Sequence, residues 1–450
     1  MNNIEREVLE IVTPKKDYKK QIQEIVKEIK NKVNHEIDKK NLPVTIELVG
    51  SIAKDTYLKD NLDIDIFIKF PTKYKKEKIG ENAVSIGKNI LKNTEGSYAE
   101  HPYIRGYYKE FKVEIVPCYK IEKASQKLSA VDRTPLHTKY VKENLPEKNK
   151  SDVLLFKQFL RGIGCYGAEA EIEGFSGYLC EILVIKYGSF NNLIKSAVDW
   201  KIGEKIALSK GKYSSFISPL TFIDPVDYSR NVASAISQDK FEFFIKACKE
   251  YIKRPKITFF FPKKVKPWSL SKIRDSIKNK DAQFIGIKIN KPDIIPENLY
   301  PQVRKATRSI CDKSERYGFT ILDSSFSIND KLIYIIIKTK KEPLSKTYVH
   351  LGPPVKLKKH TEEFLSKWKK DPRVTKRPYE KKGRLYVEIE RDYLEIKEFL
   401  KDNIKEFSMG RHIDKIVKKE FSILDIDDLL IKNLREFWTE YLDGKMPWER

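Results

Sequence analysis

Cysteine is scarce and scattered. The five are Cys118, Cys165, Cys180, Cys248 and Cys311. None forms a C-x-x-C pair, and none stands at zinc-ligand spacing from a histidine, which argues against a zinc site. An odd, dispersed set fits reduced, mostly buried thiols rather than a disulfide framework. No uninterrupted apolar run is long enough to span a bilayer. The opening stretch MNNIEREVLEIVTPKK carries no apolar signal region. The expectation is a soluble, cytoplasmic protein with no membrane partner. Internal repeats are absent as well. Negative charge is in deficit: 64 Asp+Glu stand against 88 Lys+Arg, a formal net charge of +24. The excess is spread along the chain rather than gathered in a basic tail. A positive field of that breadth attracts polyanions, RNA or DNA first, although lysine-rich solvated surfaces of heat-adapted proteins share this composition.

What is present suffices for several cores. Over 450 residues, 40% are hydrophobic, with 23 Tyr and 23 Phe. Two to four domains follow from that length. Apolar residues recur at three- and four-residue spacing from Ile22 to Ile37, which predicts an amphipathic helix over 17–39. A short strand is expected over 44–49, a helical turn over 53–58 after Gly50-Ser51, a strand over 62–70 and a helix over 76–92. A β-rich stretch over 97–119 suggests a hairpin turning at Arg105-Gly106. Residues 120–150 are polar and resemble a connector. The pattern is mostly helical from 152 to 252, and a Pro/Lys-rich hinge, FFFPKKVKPWSLS, follows. Next comes a strand over 283–289, a helix over 297–317 and strands over 319–328 and 331–338. That βαββ order suggests a ferredoxin-like or RNA-recognition-like module. The remainder mixes short helices with one clear strand, Arg384–Glu390, and a helix over 427–441.

The chemistry gathers on 62–70. Alternation of apolar and polar residues puts Asp63 and Asp65 on one face, with alpha carbons roughly 6–7 Å apart. Glu114 lies in the same phase on FKVEIVPC, an acid between two apolar residues. Carboxylates so close repel unless a cation intervenes, and an all-oxygen set suits Mg²⁺. Two such ions can activate a hydroxyl and stabilise a leaving phosphate. Gly50-Ser51 upstream would cradle that phosphate. Lys157 is a lone cation amid apolar helix residues in LLFKQFL and needs an anion.

GSIAKDTYLKDNLDIDIFI resembles the GS-x(n)-[DE]-x-D signature of the polymerase-beta-like nucleotidyltransferase superfamily. KVEIVPCY, SAVDRTPLHTKYV, CYGAE, GFSGYLCEILVIKYGSF and DPVDYSRNVA further resemble the archaeal-type (class I) CCA-adding enzymes, which are tRNA nucleotidyltransferases. The likeness runs in order over residues 1–260 and continues more weakly through RYGFTILDSSFSI. It implies an α+β, multidomain chain. A nucleotidyltransferase catalytic head over 1–145 precedes a helical, nucleotide-binding neck over 146–262. A ferredoxin/RNA-recognition-like, RNA-binding body over 263–345 and an α/β, tRNA-binding tail over 346–450 follow.

The resemblance implies template-independent addition of C, C and A to the tRNA 3′ end from CTP and ATP, with two Mg²⁺ ions. By its motifs, Asp63, Asp65 and Glu114 are the metal carboxylates, and Ser51 and Lys54 hold the triphosphate. His137, Lys157 and Tyr166 hold the incoming nucleotide's phosphates and sugar, and Arg230 and Asn231 read its base. The third acid is commonly Asp in the family and the first often Glu, so Asp63 and Glu114 depart from the pattern in opposite directions. Arg304 and Arg308, four apart on one helix, fit contact with the RNA backbone. The implied partner is tRNA, gripped at the acceptor stem and top half by a monomer or homodimer. The alternatives are a poly(A)-polymerase-like or oligoadenylate-synthetase-like terminal transferase, and an inactive tRNA-binding protein.

Overall fold

The periodicities of the first 120 residues build a sheet backed by helices. The structure, a computed structural model, describes the whole chain except residues 61, 99–100, 212 and 279–280. It divides into two units, 1–264 with 445–450, and 265–444.

In the first unit, α1 (Asn3–Val12) opens on a capping box between Asn2 and Glu5. α2 (Lys16–Lys39) buries Ile22, Ile25, Val26, Ile29, Val33 and Ile37, the stripe expected from spacing. Then come β1 (Thr45–Val49), the short α3 (Gly50–Lys54), β2 (Asp63–Phe70), α4 (Lys76–Ile90), β3 (Lys92–Tyr98), β4 (Pro102–Tyr108) and β5 (Phe111–Tyr119). The sheet runs β1-β2-β5-β4-β3. β2 and β5 pair in parallel and in a register that sets Asp63 opposite Lys112 and Asp65 opposite Glu114. Ile64, Ile66, Ile68, Val113 and Ile115 point the other way, into a core shared with α2 and α4. On the acid face the carboxylates give way further along to Phe67, Val116 and Cys118, packed with Val49.

Two expectations are corrected here. Arg105-Gly106 is not a turn: both residues lie inside β4, and the chain reverses at Lys109-Glu110. Lys109 takes the left-handed φ of 53° that the turn requires, so no glycine marks it. Gly106 serves a close approach instead, since a Cβ there would lie 2.9 Å from the Lys92 carbonyl oxygen. The segment expected as a connector holds α5 (Arg133–Asn144), which packs on α3 and β1.

α6 (Lys150–Gly162), α7 (Gly177–Tyr187) and α8 (Phe190–Ala197) follow, then the parallel pair β6 (Glu204–Ile206) and β7 (Leu220–Phe222), and α9 (Gln238–Lys253). Their core is rich in phenylalanine, including Phe156, Phe159, Phe175, Phe190 and Phe244. Trp448 completes it: it is 2% exposed, stacks on Phe259 with centroids 5.1 Å apart, and donates from Nε1 to Glu250 at 2.6 Å.

The second unit contains α10 (Leu270–Lys278), β8 (Ala282–Asn290), α11 (Pro296–Tyr317), β9 (Ile321–Ile328) and β10 (Leu332–Lys340), the βαββ order expected. β11 (Thr347–Pro354), α12 (Lys358–Lys369), β12 (Val374–Lys381) and β13 (Arg384–Glu390) form a three-stranded sheet, order β11-β13-β12, with α12 on one face. α13 (Ile396–Asn403), α14 (Arg411–Lys419), β14 (Ser422–Leu424), α15 (Ile426–Leu429) and α16 (Arg435–Asp443) follow. The helix expected over 427–441 is therefore broken: Leu430 and Ile431 leave helical geometry between α15 and α16. β14 joins the βαββ sheet beside β8, giving β14-β8-β10-β9. One face of that sheet is covered by α11, α13 and α14, and the other by α10, α15 and α16 around Trp438.

Candidate active site

The acids of β2 and β5 stand where the register predicts. Asp63, Asp65 and Glu114 line a cavity of about 200 Å³ together with Ser51, Thr56, Lys157 and Tyr166. Gly50 makes the arrangement possible. Its φ is +73°, and a Cβ there would fall 2.1 Å from an Asp65 carboxylate oxygen. Only glycine suits a backbone so turned and so close to that carboxylate. Burial pushes the Asp65 carboxyl up to about 7, and the charges of Glu114 and Asp63 add to the effect.

The other two carboxylates are already engaged. Arg105, beside Glu114 across β4 and β5, pairs with it at 2.6 Å. Lys112 pairs with Asp63 at 3.1 Å. Among the described residues, no group of three His, Cys, Asp or Glu side chains is closed up enough to enclose a metal ion as it stands. The donor chemistry nonetheless fits a hard cation: three carboxylates converge, and burial with the charges of its two neighbours raises the pKa of Asp65.

Behind the acids lies a buried charge cluster. Lys54 of α3 does not line the cavity; it is 8% exposed and pairs with Glu181 of α7 at 2.6 Å. Burial depresses its pKa, against the pull of Glu181. The other Glu181 oxygen accepts from the Thr56 hydroxyl at 2.6 Å and lies 3.3 Å from Lys157 Nζ. Lys157 also donates to the Thr56 carbonyl at 2.8 Å. So the anion that the lone Lys157 demanded is, in part, Glu181. Two lysines share one carboxylate, and the surplus positive charge faces the cavity at Lys157. Glu181 was equally legible: it is a lone acid in the apolar run GYLCEILVIKY.

A second cluster surrounds Asp224, which is fully buried. His137 Nε2 lies 2.9 Å from its Oδ2, and Arg230 Nη1 also lies 2.9 Å from that oxygen. The Tyr178 hydroxyl donates to Oδ1 at 3.3 Å, and its ring stacks on His137 with centroids 4.0 Å apart. Lys54 Nζ lies 6.0 Å from the other part of this stack, the Tyr178 ring centroid, so the two clusters adjoin. Burial lowers the His137 pKa, and the Arg230 and Arg133 charges help while Asp224 opposes. Nothing in the local sequence pattern of Asp224 and Tyr178 separates them from packing residues.

Asn231 sits apart from these side chains. Its Oδ1 accepts from the Phe222 and Ala233 N–H groups, both at 2.9 Å, and its Nδ2 donates to Ser218 and Leu220. All four of its hydrogen-bonding positions are filled internally, which leaves no capacity for reading a base; its work is to hold the loop that carries Asp224 and Arg230. In the second unit, Arg304 and Arg308 do share an outer stripe of α11, between the buried Val303, Ala306, Thr307 and Ile310. Arg304 lies over the Tyr300 ring at 5.9 Å.

Comparison with known proteins covers nearly the whole chain. The nucleotidyltransferase domain family matches residues 13–137. The family described as tRNA nucleotidyltransferase, second domain, matches 151–261, and that of the CCA-adding enzyme, C-terminal domain, matches 280–425. A CCA-adding enzyme of Methanosarcina barkeri is 35% identical over 93% of this chain and 92% of its own. That of Methanothermobacter thermautotrophicus is 32% identical over 98% of both. That of Methanocaldococcus jannaschii is 34% identical over 92% of this chain and 94% of its own. No helix among the described residues is long and apolar enough to cross a membrane.

Proposed function

The chain belongs to the CCA-adding enzyme family, and we propose that it extends the tRNA 3′ end by C, C and A from CTP and ATP. The observation that carries this is the convergence of three carboxylates, one of them pushed up to about 7, beside a surplus lysine charge in one cavity. In each transfer the RNA 3′-oxygen attacks the α-phosphorus and pyrophosphate leaves. Asp63, Asp65 and Glu114 would hold two Mg²⁺, which would supply charge neutralisation to the transfer.

The chain's own groups do the positioning. Lys157 and Ser51 bind the triphosphate, the Tyr166 hydroxyl meets the sugar, and Arg230, oriented by Asp224, faces the base. His137, held between Asp224 and Tyr178, closes the phosphate side. Lys54 acts from behind, by fixing Glu181. The acceptor stem and top half of tRNA lie against the basic surface, with Arg304 and Arg308 on phosphates. Head, neck, body and tail divide near residues 145, 262 and 345, and the site of action is the cytoplasm.

The test is incubation with tRNA ending at the discriminator base, Mg²⁺, CTP and ATP, singly and together. Products lengthened by C, C and A are expected from tRNA and a minihelix, and none from Asp65→Ala. Equal extension of poly(A) and tRNA would replace this reading with that of a general terminal transferase.

A further inference from the structure

β4 borders the catalytic carboxylates, and its acid face carries a pattern that the nucleotide site does not use. Arg105 is opposite Glu114 and Tyr107 is opposite Lys112. Directly opposed residues share a face, so Tyr103, Arg105 and Tyr107, two apart along the strand, line up beside the acids. Ile104 points the other way, into the core. The Tyr107 side chain is 45% exposed and that of Arg105 37%. Tyr103 is half-buried against Phe67 and Val116, and its hydroxyl lies 3.5 Å from Arg105 Nη2. The result is an aromatic–cation–aromatic strip whose central guanidinium is held by the Tyr103 hydroxyl and by a carboxylate that has other work.

Sheet order fixes what this strip faces. The groups proposed to face the nucleotide lie off β4: Ser51 follows β1, and Lys157 and Tyr166, from α6 and the loop after it, line the same cavity as the acids. The acids occupy β2 and β5, the middle of the sheet. An in-line displacement places the attacking and leaving groups on opposite sides of the reacting phosphorus, so the second reactant comes over β4. A cation between stacking rings is the general device for unpaired nucleic acid.

We propose that β4 is the acceptor-strand subsite. Arg105 binds the last internucleotide phosphate of the RNA, and Tyr107 stacks on an unpaired base at its end. Until RNA arrives, Arg105 rests on Glu114; moving to the phosphate, it releases that carboxylate for catalysis. The inference rests on the chain being an RNA terminal nucleotidyltransferase. Wild-type extension of tRNA checks that reading separately.

The experiment pairs Arg105→Gln with a tRNA whose 3′-terminal linkage is a neutral methylphosphonate. Binding is followed by fluorescence anisotropy with Mg²⁺ and no nucleotide, and turnover by extension. Either change alone weakens RNA binding by about tenfold; the two together weaken it no further, and KM for CTP and ATP stays within about twofold, taking twofold as the limit of additivity. Tyr107→Ala weakens binding by about tenfold and Tyr107→Phe restores it. Losses that multiply would overturn the proposal. So would unchanged RNA binding with lowered turnover, which would make Arg105 a positioning residue for Glu114 alone.

Discussion

Glu181→Gln removes one charge from the centre of the first unit while keeping the shape of the side chain. Glu181 is fully buried and holds Lys54 at 2.6 Å and Lys157 at 3.3 Å. Breaking a buried pair by removing one partner leaves an uncompensated charge and costs about 3–5 kcal/mol. At about 2–4 °C per kcal/mol for a unit of this size, the transition of the first unit drops by about 6–20 °C in scanning calorimetry. The cost belongs to the stranded lysine rather than to the lost attraction. Lys54→Met in the same chain therefore returns more than half of it, because Lys157 keeps the Thr56 carbonyl. The reasoning is refuted if the single variant melts within about 2 °C of wild type, a shift of under about 1 kcal/mol, or if adding Lys54→Met lowers the transition further.

Gly50→Ala puts a methyl into the Asp65 carboxylate and a side chain at φ +73°. Extension of tRNA should fall by more than about a hundredfold, taking the combined strain and displacement as about 3 kcal/mol, while anisotropy shows RNA still bound. Asp227 is paired with Lys127 at 2.7 Å and Arg133 at 2.9 Å. Its burial pushes the pKa up, but those partners and Ser229 pull it well below the usual carboxylate range. The folded pKa is lower than the unfolded one, so this stabilisation is present above about pH 4 and lost as pH falls below it. Melting temperature followed from pH 6 to pH 3 should fall less steeply in Asp227→Asn than in wild type.

The carboxylates were legible because strand alternation and parallel register are both simple. Asp63, Asp65 and Glu114 needed only a period of two and one correct pairing. α2 was legible for a similar reason, since its apolar stripe is uninterrupted. α5 was hidden: RTPLHTKYVKEN buries Pro135, Thr138 and Val141 and has no apolar stripe to report it. A glycine does not mark this hairpin's turn: Gly106 answers a neighbouring strand and Lys109 makes the turn. Asp224 and Glu181 show a further limit. A lone charge in an apolar context demands a partner, but the sequence does not say which of several distant charges supplies it.

Trp448 has a consequence for synthesis. The core that holds the catalytic helices is made from two stretches of chain separated by residues 265–444. Its last aromatic stacks on Phe259 and accepts through its carbonyl from Thr258 at 2.6 Å. A nascent chain that stops short of residue 445 lacks that ring, and leaves the apolar surface of Phe243 and Phe259 uncovered. The catalytic unit, though written almost entirely ahead of residue 265, is finished only after the second unit has been synthesised.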